Sequence, residues 1–280
     1  MQLLTAKAVP IMLNDFTLGQ YFPTNSLIHR LDPRIKLLLT LGFLILIFCA
    51  TNIYALTLII FFVVCLIFLT KIPLKMYVKN LKFILPILIF TTVINLFYTN
   101  NGNIILEFWK IKITDYAVVR SIFLSLRIVL LIIISSALTY TTSPNSITTG
   151  LESLFSPFKY IGLGRAVHTM TMMMTIALRF IPTLVEETQK IMNAQKARGV
   201  NFENGSLIQR IKAIIPILIP LLISSVKSAY DLAEAMESRC YNGGENKTNL
   251  KVLKMQKSDY LAVLFFIICC LIVFLFNIVF

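Results

Sequence analysis

Long apolar runs separated by short clusters of basic residues dominate the pattern along this chain. The first run, from Leu37 to Thr70, is 34 residues long and carries no charge. A helix of that length would extend about 50 Å, whereas the hydrocarbon core of a bilayer is about 30 Å thick. We therefore predict two membrane-spanning helices with a tight turn at Thr51 and Asn52, in preference to a single long tilted helix.

Three further apolar runs predict three further spans. They extend from about Phe83 to Tyr98, from Tyr116 to Tyr140, and from Leu261 to Phe280. The stretch from Ile214 to Val226 is also apolar, but it has only 13 residues and two prolines interrupt it. Runs of that length are more often buried or interfacial than spanning, so we predict a helix at the membrane surface there.

Basic residues orient these spans. Of the 26 Lys and Arg residues, 22 lie before the first span, between the second and third spans, or in section 141–259. Loops rich in Lys and Arg stay in the cytoplasm, so the N-terminus is expected inside and the C-terminus outside. The expected organisation is a cytoplasmic segment 1–36, four spans within 37–140, a cytoplasmic or interfacial section 141–259, and a last span 260–280.

Composition agrees with this interpretation. The chain has 280 residues, of which 57% are apolar and 14% are charged, and its mean hydropathy is +0.81. Soluble domains average about 45–50% apolar and about 25% charged residues. The net charge of +13 could suggest nucleic-acid binding, but there the basic residues form a soluble face beside aromatic ones. We predict an all-α polytopic protein of the lipid bilayer with no nucleic-acid partner.

Section 141–259 predicts three helices, over about 144–157, 165–198 and 207–239. A kink is expected in the second at Pro182. The second and third helices end in matching sequences, each with an arginine between two small residues. These motifs are Ala197-Arg198-Gly199 and Ser238-Arg239-Cys240.

The matched ends have two interpretations. Small neighbours let a helix end enter a groove, where the arginine forms bidentate bonds to acidic side chains. The plainer interpretation is that a cation at a helix C-terminus interacts favourably with the helix dipole, an effect of about 0.3–1 kcal/mol. The repetition of the whole pattern favours a docking role for both ends.

Other candidate chemistry is sparse. Arg127 lies about two turns inside the fourth predicted span, where it snorkels towards the membrane surface, pairs with another helix, or marks a functional path. The five cysteines and two histidines show no metal-ligand spacing, and there is no GxxxxGK[ST] loop to hold nucleotide phosphates. No cofactor and no metal are predicted.

Several segments together resemble the transmembrane (T) component of energy-coupling factor (ECF) transporters. The resemblance covers about residues 16–280, and Cys240 departs from it because the family usually has Gly there. The segments that carry it are Leu18-Gly19-Gln20-Tyr21, Ser26, His29-Arg30-Leu31-Asp32-Pro33-Arg34-Ile35-Lys36, Arg179-Phe180-Ile181-Pro182-Thr183-Leu184, Ala194 to Gly199, and Asp231 to Arg239.

The resemblance implies a non-catalytic coupling subunit in the membrane of a bacterial cell. Two ABC-type ATPases hydrolyse ATP, a membrane S component binds a vitamin or other micronutrient, and long coupling helices connect them. Arg198 and Arg239 would dock the two ATPases. Structural roles fall to the other family-motif residues, which are Asp32, Pro33, Arg34, Lys36, Arg179 and Pro182.

Two other functions remain open at this point. An ordinary ABC permease would hold its own substrate path and would transport without an S component. A membrane-embedded enzyme would need clustered ionisable residues at membrane depth, and only Arg127 is clearly there. The first eleven residues lie outside the resemblance, so Met12 is a possible start that an intact mass would settle.

Overall fold

The structure, a computed structural model, shows two compact units. The first contains Gly19–Gly150 and Val252–Phe280, and the second contains Leu151–Lys251. The residues that it describes are 21–22, 24–98, 104–108, 111–157, 164–200, 207–242 and 255–279.

The described residues form helices and one short β-hairpin. The first unit contains α1 (Pro33–Cys49), α2 (Ile53–Thr70), α3 (Leu74–Tyr98), β1 (Ile104–Phe108), β2 (Ile111–Thr114), α4 (Asp115–Thr141), the start of α5 (Pro144–Phe155), and α8 (Lys257–Val279). The second unit contains the end of α5, α6 (Gly164–Ala197) and α7 (Leu207–Glu237). The predicted helical class is confirmed, and the antiparallel hairpin is an addition in a stretch without a clear pattern.

Five helices of the described part are long and apolar enough to cross a membrane. They are α2, α3, α4, the part of α7 from Lys212 to Glu237, and the part of α8 from Lys257 to Ile278. Four of them coincide with predicted spans. The other predicted span, α1, has 17 residues and so reaches only about 25 Å, near the lower limit for crossing the hydrocarbon core.

Helix α7 has nearly the bounds that the sequence predicted. It continues through Pro216 and Pro220 as one helix of 31 residues, close to the predicted 207–239. Helix α6 likewise continues through Pro182 over 34 residues, close to the predicted 165–198. The part of α7 from Lys212 to Glu237 is long and apolar enough to cross a membrane, so the expectation that its apolar stretch is too short to span is wrong. Its placement at the membrane surface stays a prediction.

The turn between α1 and α2 falls where the polar pair predicted it. Ala50, Thr51 and Asn52 are not helical, and side chains from two other helices bind backbone groups of Ala50 and Thr51. From α4, the Arg127 guanidinium donates to the carbonyl of Ala50 and lies 4.9 Å from the centre of the Phe123 ring. This contact agrees with the interpretation of Arg127 as a residue that pairs within the helix bundle.

Asn277 of α8 closes the same turn from the other side. Its side-chain nitrogen donates to the Cys49 carbonyl at 3.0 Å, and its side-chain oxygen accepts from the Thr51 backbone nitrogen at 3.3 Å. Unsatisfied backbone groups are costly in apolar surroundings. The turn is therefore held by α4 and α8 as well as by its own sequence.

The core of the first unit lies between α1, α2, α4 and α8. Gly42 lets α1 and α8 approach closely, since a Cβ there would lie 2.5 Å from the Phe266 ring. Its neighbour Phe43 packs edge-on against the same ring, with centroids 4.9 Å apart. The buried residues of this cluster are Phe43, Leu46, Ile47, Ala50, Ala55, Leu56, Ile59, Val63, Leu130, Ile134 and Val273.

Polar side chains join α3 to α4. The amide of Asn80 donates to the Ser136 hydroxyl at 3.1 Å, and the hydroxyls of Thr92 and Ser125 lie 2.7 Å apart. The partners advance along α3 while they recede along α4, so the helices are antiparallel. Interhelical hydrogen bonds of this kind stabilise helix pairs in lipid, where apolar surfaces gain little from each other.

Candidate functional site

The C-terminal end of α6 closes in a Schellman motif. The backbone N–H of Val200 donates to Gln195 O at 3.1 Å, and that of Gly199 donates to Lys196 O at 3.0 Å. Gly199 has a φ of 88°, a left-handed conformation that favours glycine. Arg198 occupies the capping position between the last helical residue and this glycine, and its side chain is exposed.

The end of α7 repeats this geometry. The N–H of Tyr241 donates to Met236 O at 3.1 Å, and that of Cys240 donates to Glu237 O at 2.9 Å. Cys240 takes the left-handed position with a φ of 57°. Arg239 has the same capping position as Arg198 and is also exposed. With Cys240 at this position, the end of α7 therefore has the same backbone hydrogen-bond pattern as the end of α6 with Gly199.

The two helices lie antiparallel within the second unit. Gln195 of α6 donates to the Pro216 carbonyl of α7 at 3.5 Å, while Ser224 of α7 donates to Glu187 of α6. These contacts are eight residues apart on both helices. Extended at 1.5 Å per residue, the pairing puts the two arginines at opposite ends of the pair, roughly 40 Å apart along its axis.

Arg179 and Pro182 lie in the middle of α6. Both are exposed, and neither is close in sequence to the arginine-bearing end. The structure therefore does not bring them together with the two helix ends.

The family-motif residues before and within the first turn of α1 form the start of that helix. The Asp32 side chain accepts from the Arg34 backbone N–H at 3.0 Å and caps the helix, and Pro33 occupies its first turn. Gly150 of α5 allows Pro33 to approach closely, since a Cβ there would lie 3.3 Å from the proline ring.

Lys36 lies one residue before the apolar run of α1 and is buried. Its ammonium donates to the carbonyls of His29 and Thr141, each at 3.1 Å. Burial lowers the pKa of Lys36 to about 8, and the negative charges of Asp259 and Asp32 oppose that change. The side chain therefore stays protonated at neutral pH. It joins the turn at residues 27–30, which we call the N-terminal turn, to the last turn of α4.

His29 completes the N-terminal turn. Its Nε2 donates to the Phe22 carbonyl at 3.0 Å, so in the neutral ring Nδ1 accepts from the Ser26 hydroxyl at 2.6 Å. Burial lowers the pKa of His29, and the nearby Lys36 ammonium lowers it further. A neutral ring fits both hydrogen bonds.

Asp259 is the important residue that the sequence interpretation missed. It is fully buried at the start of α8 and accepts from Gln256 N at 2.7 Å, which caps its own helix. Its other oxygen accepts from Asp32 N at 2.8 Å. An acidic residue three positions after Gln256 is a recognisable capping signal, but its contact with α1 is visible only in three dimensions.

Within the described part of the chain, no group of three or more His, Cys, Asp or Glu side chains could hold a metal ion. The buried charged residues Asp32, Lys36 and Asp259 instead satisfy helix ends. We name these three residues the polar cluster.

Comparison with known proteins gives a consistent result. The family described as CbiQ, cobalt transport protein, matches residues 24–250. "Energy-coupling factor transporter transmembrane protein EcfT" of Thermosediminibacter oceani is 45% identical over 250 residues, which cover 89% of this chain and 93% of that protein. The chain belongs to this family of ECF transporter transmembrane proteins.

Two other relatives with the same description are as similar. That of Acidaminococcus fermentans is 46% identical over 89% of this chain and 92% of its own length. That of Bacillus subtilis is 44% identical over 89% of this chain and 93% of its own length. With its long apolar helices, this ECF family member is a multi-pass bacterial membrane protein.

The contacts of the polar cluster predict that replacing Asp259 by the nearly isosteric Asn lowers stability strongly. Asp259→Asn should lower the free energy of unfolding by about 3 kcal/mol, because the amide cannot accept from both backbone N–H groups and Lys36 loses a compensating charge. Asp231→Asn, at an exposed position of α7, should change it by less than about 0.5 kcal/mol. Denaturant titration in detergent micelles measures both, and equal effects would contradict the role assigned to Asp259.

Gly199 and Cys240, the two residues with a left-handed backbone at the ends of α6 and α7, predict substitutions with opposite effects on the stability of those ends. Gly199→Ala should destabilise the end of α6 by about 1 kcal/mol through backbone conformation alone, since nothing lies within 4 Å of the added Cβ. Cys240→Gly should stabilise the end of α7 by up to about 1 kcal/mol, because glycine adopts this φ without strain. Hydrogen exchange at residues 199–200 and 240–241 measures each end, and a shift of the same sign at both would refute the assignment.

Proposed function

We propose that this chain is the coupling subunit of an ECF-type ABC importer. In this proposal it transmits ATP hydrolysis by two cytoplasmic ATPases to a membrane S component that binds a vitamin or another micronutrient. The observation that carries the proposal is the pair of arginine-bearing helix ends with the same backbone hydrogen-bond pattern on one antiparallel helix pair. The chain itself is non-catalytic in this scheme, and its N-terminus is cytoplasmic.

The geometry of the ends supports docking over simple helix capping. Each Schellman motif satisfies its own carbonyl groups through backbone N–H donors, so the arginine is not needed as a cap. Both guanidinium groups project from exposed positions between small residues. Arginine offers a rigid fork of donors that binds a carboxylate in a bidentate manner, so each end can enter an acidic groove.

The spacing of the ends supports two partners rather than one. Roughly 40 Å along the helix axis exceeds the diameter of a single small domain, which is about 30 Å. Each arginine therefore has room to contact a different ATPase. Because the helices connect the two ends rigidly, relative movement of the ATPases would tilt or shift the helix pair.

An apolar surface on the same helices supports a membrane partner. Met170, Met173 and Met174 of α6 are 50–71% exposed. Methionine side chains adapt to varied partners, which suits a surface on which an S component moves. On α7 the exposed apolar residues are Ile208, Ile214, Ile215, Leu218, Ile219, Leu222, Ile223, Val226 and Tyr230.

Charge reversal at the two arginines tests the proposal. Arg198→Glu with Arg239→Glu should abolish ATP-driven uptake and co-purification of the ATPases, because each glutamate would face an acidic groove. The matched control is Lys190→Glu with Lys227→Glu, which makes the same change in net charge at exposed positions of the same two helices. The control variant should retain ATP-driven uptake and should still co-purify with the ATPases.

The single variants and a reconstitution sharpen the result. Each single reversal should weaken binding of one ATPase copy while leaving the chain in the membrane. Undiminished transport in the double variant would exclude docking through these ends. Transport by the chain with ATPases but without an S component would favour a permease that holds its own substrate path.

A further inference from the structure

A groove of about 720 Å³ runs along the outer side of α2 in the first unit. Phe61, Cys65 and Phe68 line its apolar part, and they follow one another at helical spacing along a single stripe of α2. Arg30 and Lys71 line its other end. Its lining residues all belong to the first unit, and the groove does not depend on the role proposed for the arginine-bearing ends of α6 and α7.

The apolar part has the dimensions of one membrane leaflet. Phe61 and Phe68 are 70% and 72% exposed, so their rings face outward from the unit. From Phe61 to Lys71 the helix axis rises about 15 Å, which is half of the thickness of the hydrocarbon core. An acyl chain that lies along this stripe would therefore reach from the basic end to the bilayer midplane.

The polar end has two cations and no acidic lining residue. Arg30 and Lys71 are exposed, and Asn25 adds an amide beside them. Among the residues that the structure describes, neither cation has a hydrogen-bond or ion-pair partner. Lys71 also has a φ of 55°, a left-handed conformation that lysine adopts less readily than glycine or asparagine. Its ammonium is thus presented at the head of the groove rather than used within the fold.

We propose that this groove binds an anionic phospholipid. The phosphate lies between Arg30 and Lys71, and one acyl chain follows the stripe of Phe61, Cys65 and Phe68. Basic pockets at the cytoplasmic end of transmembrane helices suit anionic headgroups, and each cation near the membrane surface strengthens binding about five-fold. A zwitterionic lipid would gain the apolar contacts but not the charge contacts.

Lipid binding to the full-length chain in detergent tests this site. Native mass spectrometry would compare dioleoyl phosphatidylglycerol with dioleoyl phosphatidylcholine. Arg30→Gln with Lys71→Asn should lower the preference for phosphatidylglycerol about 25-fold, the product of two five-fold losses. Asparagine tolerates the left-handed backbone at position 71, so the lipid-free melting temperature should not fall.

A control with the same change in net charge distinguishes a site from a general charge effect. Lys79→Gln with Lys82→Gln, at exposed positions of α3 outside the groove, should keep the preference. An equal loss in this control, or equal binding of both lipids by the unaltered chain, would overturn the proposal. So would competition by glycerol 1-phosphate at concentrations comparable to the lipid, because that would indicate a site for free anions.

The apolar part has its own test. Phe68→Ala should weaken binding of both lipids by a similar, several-fold factor and leave their ratio unchanged, because the ring contacts only the acyl chain. Unchanged affinity for phosphatidylglycerol in this variant would overturn the placement of the acyl chain along α2.

Discussion

Backbone groups at the ends of helices need hydrogen-bond partners, and in apolar surroundings water cannot supply them. The first unit meets this constraint with side chains that come from other helices. Asp259 caps α8 and also binds the backbone of Asp32 at the start of α1. Lys36 binds a carbonyl at the end of α4, and Arg127 binds the Ala50 carbonyl after α1. Each of these charges therefore holds two elements together, and helix packing depends on them.

The second unit meets the same constraint differently. Its two long helices end in Schellman motifs, in which backbone donors satisfy backbone acceptors without any side chain. Arg198 and Arg239 therefore stay exposed at the helix ends and are available to a partner. The buried charged residues of the first unit are used within the fold, whereas these two arginines are presented outward, as their proposed docking role requires.

Three of the described residues have a left-handed backbone conformation, and all three lie at helix ends. Gly199 adopts a positive φ without strain, while Cys240 and Lys71 adopt it against their preference. At Cys240 the positive φ gives the end of α7 the same backbone hydrogen bonds as the end of α6. At Lys71 the conformation ends α2 and places a cation beside the groove along that helix. Backbone conformation at a single position thus decides where a side chain is presented.

The sequence by itself determined the helical class, the break at Thr51 and Asn52, and the matched ends of α6 and α7. Each of these follows from local pattern, because apolar run length, polar interruptions and small residues around an arginine act over a few neighbours. The tertiary structure decided the rest. It brought Asp259 to Asp32 and Arg127 to Ala50, pairs that are distant in sequence. The antiparallel pairing that separates the two arginines is likewise set by contacts between helices, which no local pattern encodes.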